Sequence, residues 1–269
     1  MIWNKISAAL PPSGLLAVYK PKGLTSSDVV AKVKWLLIDG YNKKQEGVDK
    51  KQKVKLKVGH GGTLDPMATG VLVLGVGEGT KLLTTYLKGS KSYRATGKLG
   101  VATDTLDCTG TVTDTAPWEH VALGDIKTIS KQFVGDIMQT PPMYSALKSQ
   151  GKRLYDLARD GKVVDRAARP VTVYSLTILE DPDYKLPEFH LDVECSGGFY
   201  VRSLIDDIGR RCNSRSMMTE LERTKQGPFL LNDCAPSEKW GDFEYMCAQI
   251  DKCSAIAKRS VESVDVSVK

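Results

Sequence analysis

Residues 58–75 read Val-Gly-His-Gly-Gly-Thr-Leu-Asp-Pro-Met-Ala-Thr-Gly-Val-Leu-Val-Leu-Gly, and no other stretch of the chain restricts its conformation as much. Gly59, Gly61 and Gly62 let the backbone bend and approach a ligand closely, and Pro66 disfavours the helical region for the residue before it. The apolar run from Val71 to Val76 then reads as a buried strand. One carboxylate, Asp65, is thus presented from a bent loop at the entrance to a strand. The residues alone leave two readings open: an Asp-Pro turn that only starts the strand, or a loop built around an acid.

The chain has 269 residues, 41% of them hydrophobic, enough to bury the core of one large domain or two smaller ones. Its net charge of +6 suits a polyanionic partner but decides little by itself. Six cysteines, at 108, 195, 212, 234, 247 and 253, form no Cys-x-x-Cys pair, and His60, His120 and His190 are far apart. Structural zinc spacing is absent and nothing suggests a secreted disulfide framework, which predicts free thiols in a reducing compartment. No apolar run reaches the roughly eighteen residues of a membrane span, and no signal peptide is evident. The first arginine is Arg94, so no Arg-rich transit segment is expected. The expectation is a soluble intracellular protein of the nucleus, the cytoplasm or both, with an organelle left open.

Residues 1–13 read as a tail ending in Pro11-Pro12, followed by a buried strand Gly14–Lys20 closed by Pro21-Lys22-Gly23. Thr25, Ser26 or Ser27 can cap a helix whose Val29, Val30, Val33, Leu36 and Leu37 recur at helical spacing. Residues 41–57 set Lys43, Lys44, Lys50, Lys51, Lys53, Lys55 and Lys57 against Glu46 and Asp49, a basic loop able to neutralise phosphates without reading sequence. Gly75 to Lys81 meets neither the Walker nor the dinucleotide spacing, which removes a nucleotide-hydrolysing enzyme; it predicts a strand-to-helix turn before a short helix, Thr80–Lys88. Strands are predicted at Lys91–Gly100, Val171–Leu179 and Phe189–Cys195, and helices at Leu123–Phe133 and roughly Glu238–Ile256. Between Pro141 and Pro170 the chain is basic and rich in loops, with a helix predicted through Tyr155, Leu157 and Ala158 and ending at Gly161.

The string around Asp65 resembles motif II of the TruB-type pseudouridine synthases, and its Gly-His-Gly-Gly spelling is similar to the eukaryotic stand-alone branch. The resemblance runs from about Gly14 to about Ala235, which predicts one catalytic domain over 14–235. Lys20-Pro21-Lys22-Gly23, Tyr93 behind a lysine, Thr103-Asp104-Thr105, Pro142 to Lys148, Gly198 to Leu204 and Leu221-Glu222-Arg223 each match a family pattern.

The implied fold is α+β, a mixed and largely antiparallel central sheet flanked by helices, with a basic thumb-like insertion at 141–170 that is expected to be unordered without RNA. The implied catalytic residues are Asp65, Tyr93 stacking on the everted base, and Arg202 paired with Asp65. An opposite charge within about 4–6 Å keeps a carboxylate ionised in a site that must exclude water. Substrate contacts are implied for His60, Lys20, Lys22, Tyr200, Leu221 as a pocket wall, Lys148, Lys152 and Arg153. Residues 236–269 are expected to form a short helix and tail without the PUA domain that bacterial relatives append.

The activity implied is isomerisation of the uridine at position 55 in the tRNA T loop, without metal or cofactor, by a monomer with no obligate protein partner. Messenger RNA hairpins that imitate the T arm are a further target of such shape recognition. Three alternatives accompany this reading: a guide-dependent synthase subunit of H/ACA particles, a noncatalytic chaperone that folds tRNA, and a basic RNA-binding scaffold.

Overall fold

The computed structural model describes residues 11–44, 54–149, 151–162, 164–180 and 185–266. Most of the expected N-terminal tail and the middle of the basic loop, with Lys50, Lys51 and Lys53, lie outside the described residues. The chain begins with β1 (Gly14–Lys20), α1 (Ser26–Lys44), β2 (Val58–His60), β3 (Thr69–Val76) and α2 (Leu83–Lys88). It continues through β4 (Lys91–Leu99), β5 (Val101–Thr103), β6 (Val112–Thr115), α3 (Leu123–Lys131), β7 (Gly135–Gln139), β8 (Lys148–Ser149), β9 (Lys152–Arg153) and α4 (Leu154–Arg159). The last elements are β10 (Arg169–Ile178), β11 (Glu188–Cys195), α5 (Val201–Arg211), β12 (Ser216–Gln226), β13 (Phe229–Leu230) and α6 (Phe243–Val266). These divide into two compact units, Met1–Gly89 with Arg223–Lys269, and Ser90–Glu222. The sequence carries no mark of the second boundary, because it falls inside strand β12.

In the first unit β3 pairs antiparallel with β1, Leu16 opposite Leu74 and Ala17 opposite Val73, and with β2, His60 opposite Leu74. This register puts even-numbered residues of both strands on one face and odd-numbered residues on the other, because strand side chains alternate. Leu16, Val18, Leu72, Leu74 and Val76 accordingly join Val29, Val33 and Leu37 of α1, with Trp240, Met246 and Ile250, in one core cluster. Leu15, Ala17, Val71 and Val73 join Tyr86, Phe229 and Cys253 in another. Buried on both sides, β3 needs the continuous apolar run that marks it in the sequence.

The cap of α1 is Thr25: its hydroxyl accepts from the Asp28 amide at 3.0 Å, while the Asp28 carboxylate accepts from the Thr25 amide at 2.9 Å. This reciprocal pair satisfies two of the donors that a helix start leaves unpaired.

At the start of β3, Gly70 has φ +103°, and a Cβ there would overlap the backbone carbonyl and amide of Arg223. Gly70→Ala is expected to destabilise the protein by about 3 kcal/mol or more, since neither backbone can yield, and urea denaturation measures it. A variant within about 0.5 kcal/mol of wild type would show that the approach is not tight.

In the second unit β4, β11, β10 and β7 lie side by side, each pair antiparallel. Tyr93 faces Val193 and Ala95 faces Leu191 across β4 and β11. α3 packs on β10 and α5, and α5 on β4; Val201, Leu204, Ile205 and Ile208 form the buried stripe of α5.

The segment 141–170, expected to be unordered without RNA, carries the hairpin β8–β9 and helix α4. Its order has local causes: Leu154 is buried, and the amides of Leu154 and Tyr155 donate to the carbonyls of Leu147 and Ser145 at 2.7 and 3.1 Å. Strand pairing is antiparallel wherever its register is described, with parallel contacts at the isolated bridges Val18 to Ala235 and Asp107 to Met218. No helix among the described residues is long and apolar enough to cross a membrane.

Candidate active site

In the first unit the loop that carries Asp65 is held through its backbone. Ser26, in the first turn of α1, accepts from the Leu64 amide at 2.8 Å and lies 3.2 Å from the Leu64 carbonyl. Gly23 donates to the Pro66 carbonyl at 2.8 Å, and Ala68 to the Asp65 carbonyl at 3.1 Å. Three buried side chains complete the frame. Lys20 Nζ donates to the carbonyls of Ala68 (2.6 Å), Pro21 (2.9 Å) and Pro66 (3.3 Å). Arg223 reaches the carbonyls of Val71 (2.7 Å), Gly62 (3.3 Å) and Thr63 (3.5 Å). Gln226 donates to the Gly61 carbonyl at 2.7 Å and accepts from the Val73 amide at 3.1 Å. A loop whose carbonyls are bound on both sides of the acid has little freedom to move it, and Asp65 itself stays partly exposed.

The placement of Lys20 corrects its expected RNA contact: the side chain is fully buried and its ammonium is committed to loop carbonyls. Lys22, two residues on, is exposed on the turn bonded to the loop and keeps an outward position. His60 is partly exposed, and its Nδ1 lies 3.4 Å from the Gly62 amide, at the bend before Asp65.

Burial pulls the Lys20 pKa down to about 8 from 10.5; the charge of Asp65 opposes this shift and that of Arg223 adds to it. Between those two values the unfolded chain binds more protons than the folded one, so this lysine's contribution to stability rises with pH across the window. Lys20→Met is expected to remove that rise. The stability of wild type relative to the variant, read from urea midpoints, should grow between about pH 8 and 10.5. A constant difference would show that Lys20 keeps an ordinary pKa.

In the second unit Arg202, in the first turn of α5, is buried with a dense set of acceptors. Its Nη1 donates to the Thr105 carbonyl at 2.7 Å and lies 3.8 Å from Asp107 Oδ2, and its Nη2 donates to the Tyr144 carbonyl at 2.9 Å. Asp107 is oriented in turn by the Thr109 hydroxyl and amide, at 2.6 and 3.0 Å, and by the Thr105 hydroxyl at 2.8 Å. Leu106 between them has φ +63°, a left-handed conformation that costs a residue with a branched side chain and is sustained by its surroundings. Tyr200, just before α5, is fixed by reciprocal bonds with the Gln139 amide at 2.8 and 3.0 Å.

Tyr93 and Leu221 are buried on β4 and β12. Lys148, Lys152 and Arg153 stand exposed on the hairpin β8–β9, and Arg153 Nη1 donates to the Tyr155 hydroxyl at 2.8 Å.

The sequence assigns no role to Arg223, Gln226, Asp107 or Gln139, and makes Ser26 only a candidate helix cap. A signal existed for the first, since an arginine inside an alternating strand must find acceptors if it is buried. For Gln226, Gln139 and the inward contact of Ser26 the partner lies on a distant segment, and nothing local announces it; Asp107 is bonded within its own loop and faces the distant Arg202. Among the described residues no group of three or more His, Cys, Asp or Glu side chains is placed to hold a metal ion.

Residues 50–201 match the TruB family pseudouridylate synthase (N terminal domain). The chain is 49% identical over 248 residues to the pseudouridylate synthase TRUB1 of Mus musculus, covering 91% of this chain and 72% of that protein. It is 44% identical over 217 residues to the tRNA pseudouridine synthase B of Clostridium novyi (strain NT), covering 81% and 68%. Among solved structures it is similar to a chain of a Cbf5-Nop10-Gar1 complex, with TM-score 0.62 and 28% identity over 87% of this chain and 55% of that one. The chain spans about half the length of the solved chains it matches. With this likeness, the α+β pseudouridine synthase fold expected from the sequence is the fold observed.

Proposed function

The chain belongs to the TruB family and is a tRNA pseudouridine synthase, and from that premise we propose that it isomerises the uridine at position 55 of the T loop, with Asp65 as its essential acid. The observation that carries this reading is the backbone frame of the Asp65 loop. Making pseudouridine breaks the N1–C1′ bond, turns the uracil and rejoins it through C5, so the detached base has to meet a carboxylate that does not wander. Lys20, Arg223 and Gln226 supply that fixity from inside the protein.

Asp65 acts as nucleophile on base or sugar, or as the base that abstracts a sugar proton. Tyr93 stacks on the everted uracil, Arg202 supplies a fixed positive charge, and Leu221 walls the base pocket. Lys22, His60, Tyr200, Lys148, Lys152 and Arg153 bind the RNA. Flipping the uridine costs a few kcal/mol; stacking on an aromatic ring returns about 1–3 kcal/mol, and phosphate contacts supply the balance. The same shape recognition extends to messenger RNA hairpins that imitate the T arm. The protein works as a monomer, without guide RNA or obligate protein partner, in a reducing compartment of nucleus or cytosol. Its six free cysteines support that location.

The test is single-turnover incubation of the purified protein with an unmodified transcript bearing a T arm and no guide RNA, followed by site-resolved detection of pseudouridine. Product at the T-loop uridine is the expected result. Product only elsewhere overturns the site assignment, and product only after a guide RNA is added favours the guide-dependent reading.

A further inference from the structure

Within the insertion between Pro141 and Pro170 lies a partly open cavity of about 110 Å³ lined by Pro141, Leu147, Lys148, Leu154, Arg166 and Arg169. Three of these carry positive charge, against one carboxylate on the wall, Asp165. Arg166 donates from Nη1 to the Pro141 carbonyl at 3.2 Å, but its Nε is buried and has no hydrogen-bond partner among the described residues. No ion pair of Lys148, Arg166 or Arg169 is formed among the described residues. A buried guanidinium N–H is costly to leave without an acceptor, so such a group points to something that fills the place.

Size and charge choose the occupant. A cavity needs only about 10–15 Å³ of such volume to hold one water, so this one is larger than a single water requires. A phosphate group presents several acceptor oxygens, and adjacent guanidinium N–H groups can bond two of them in parallel. Leu154, buried beneath the site, makes one wall apolar and strengthens charge pairing inside it. On the same insertion Arg153 and Arg159 lie over the Tyr155 ring, 5.7 and 5.5 Å from its centroid, so basic surface continues beside the cavity.

We propose that this cavity is a phosphate pocket that takes one phosphodiester of the RNA backbone, with Arg166 as its fixed donor and Lys148 and Arg169 as flanking charges. The proposal deepens the function proposed above and rests on an RNA substrate. Free phosphate shares the chemistry, and the experiment separates the two sources.

The full chain, wild type and Arg166→Met, is titrated with a T-arm stem-loop over a range of salt concentrations. Arg166→Met is expected to raise the Kd about 5- to 50-fold and to lower the slope of log K against log salt by about one. In stem-loops carrying single uncharged methylphosphonate linkages, one linkage should weaken the wild type and have no further effect on Arg166→Met. A folded Arg166→Met with an unchanged slope, or no linkage whose effect vanishes in it, overturns the proposal. So does inorganic phosphate that raises the melting temperature of wild type alone while the RNA slope is the same in both proteins. If Arg166→Met does not fold, Arg169→Gln is read in the same way. Binding is measured without turnover, so a wild type that makes no pseudouridine refutes the proposed function separately from the pocket.

Discussion

Asp65→Asn is expected to abolish pseudouridine formation, with a loss on the order of 10⁴-fold or more in single-turnover rate, while RNA affinity stays within about threefold of wild type. The amide has nearly the shape of the carboxylate but can neither attack carbon nor take a proton. The separation of binding from chemistry follows from how the loop is held. Its frame consists of bonds to the carbonyls of Gly61, Gly62, Pro66, Ala68 and Val71, none of which involves the Asp65 side chain. The substitution therefore removes the reactive group and leaves these bonds in place. The two measurements are a rapid-quench time course on a T-arm transcript and a binding titration with the same RNA. Residual turnover within about tenfold of wild type would remove Asp65 from the chemistry.

Arg223→Met should produce the largest loss of stability among single substitutions around the loop, about 3–5 kcal/mol. Arg223 is fully buried, and its removal leaves the carbonyls of Val71, Gly62 and Thr63 without their donor inside the protein. Each unsatisfied buried acceptor costs about 1–3 kcal/mol, and methionine fills the volume without replacing any of the bonds. In whatever fraction stays folded, the Asp65 loop loses one side of its frame. The single-turnover rate should then fall far more than RNA affinity. Arg223→Lys keeps the charge but cannot reach three diverging carbonyls, and should lie between wild type and Arg223→Met in both measurements. A full single-turnover rate in folded Arg223→Met would show that the loop needs no support from β12.

Much of the fold was legible because its causes are local. Val71 to Val76 is apolar at every position except Gly75, and the sheet buries it on both sides. Val29, Val33 and Leu37 recur every four residues and form the inner stripe of α1. The helix start read at Thr25, Ser26 or Ser27 resolves into two roles: Thr25 caps, and Ser26 turns inward to hold Leu64. The insertion at 141–170 is legible in its charge and in the helix through Tyr155, Leu157 and Ala158, but not in its hairpin, and Leu154 counts as an anchor only once the chain folds back over it.

The candidate site was legible in its acid and illegible in its support. Lys20 and Lys22 sit on one turn and look alike in the sequence. One is sealed under the loop and the other faces outward, because the carbonyl that accepts the shortest Lys20 bond lies 48 residues further along. Arg223 belongs to a string that the sequence reading had singled out, yet its partner at Gly62 is 161 residues away. The resemblance makes Arg202 the counter-charge to Asp65; in its own unit it ties down the Thr105 and Tyr144 carbonyls and faces Asp107.

Where the chain bends, which runs are strands or helices, and that an acid sits at the bend before β3 can all be read from the order of residues alone. Those features follow from glycine and proline dihedral limits and from side-chain periods of two and about 3.6, which need no knowledge of the rest of the chain. Only the tertiary structure decided which charged side chains are buried and what they hold. Burial is set by segments arriving from far along the chain, and a polar group removed from water takes whichever acceptors those segments bring.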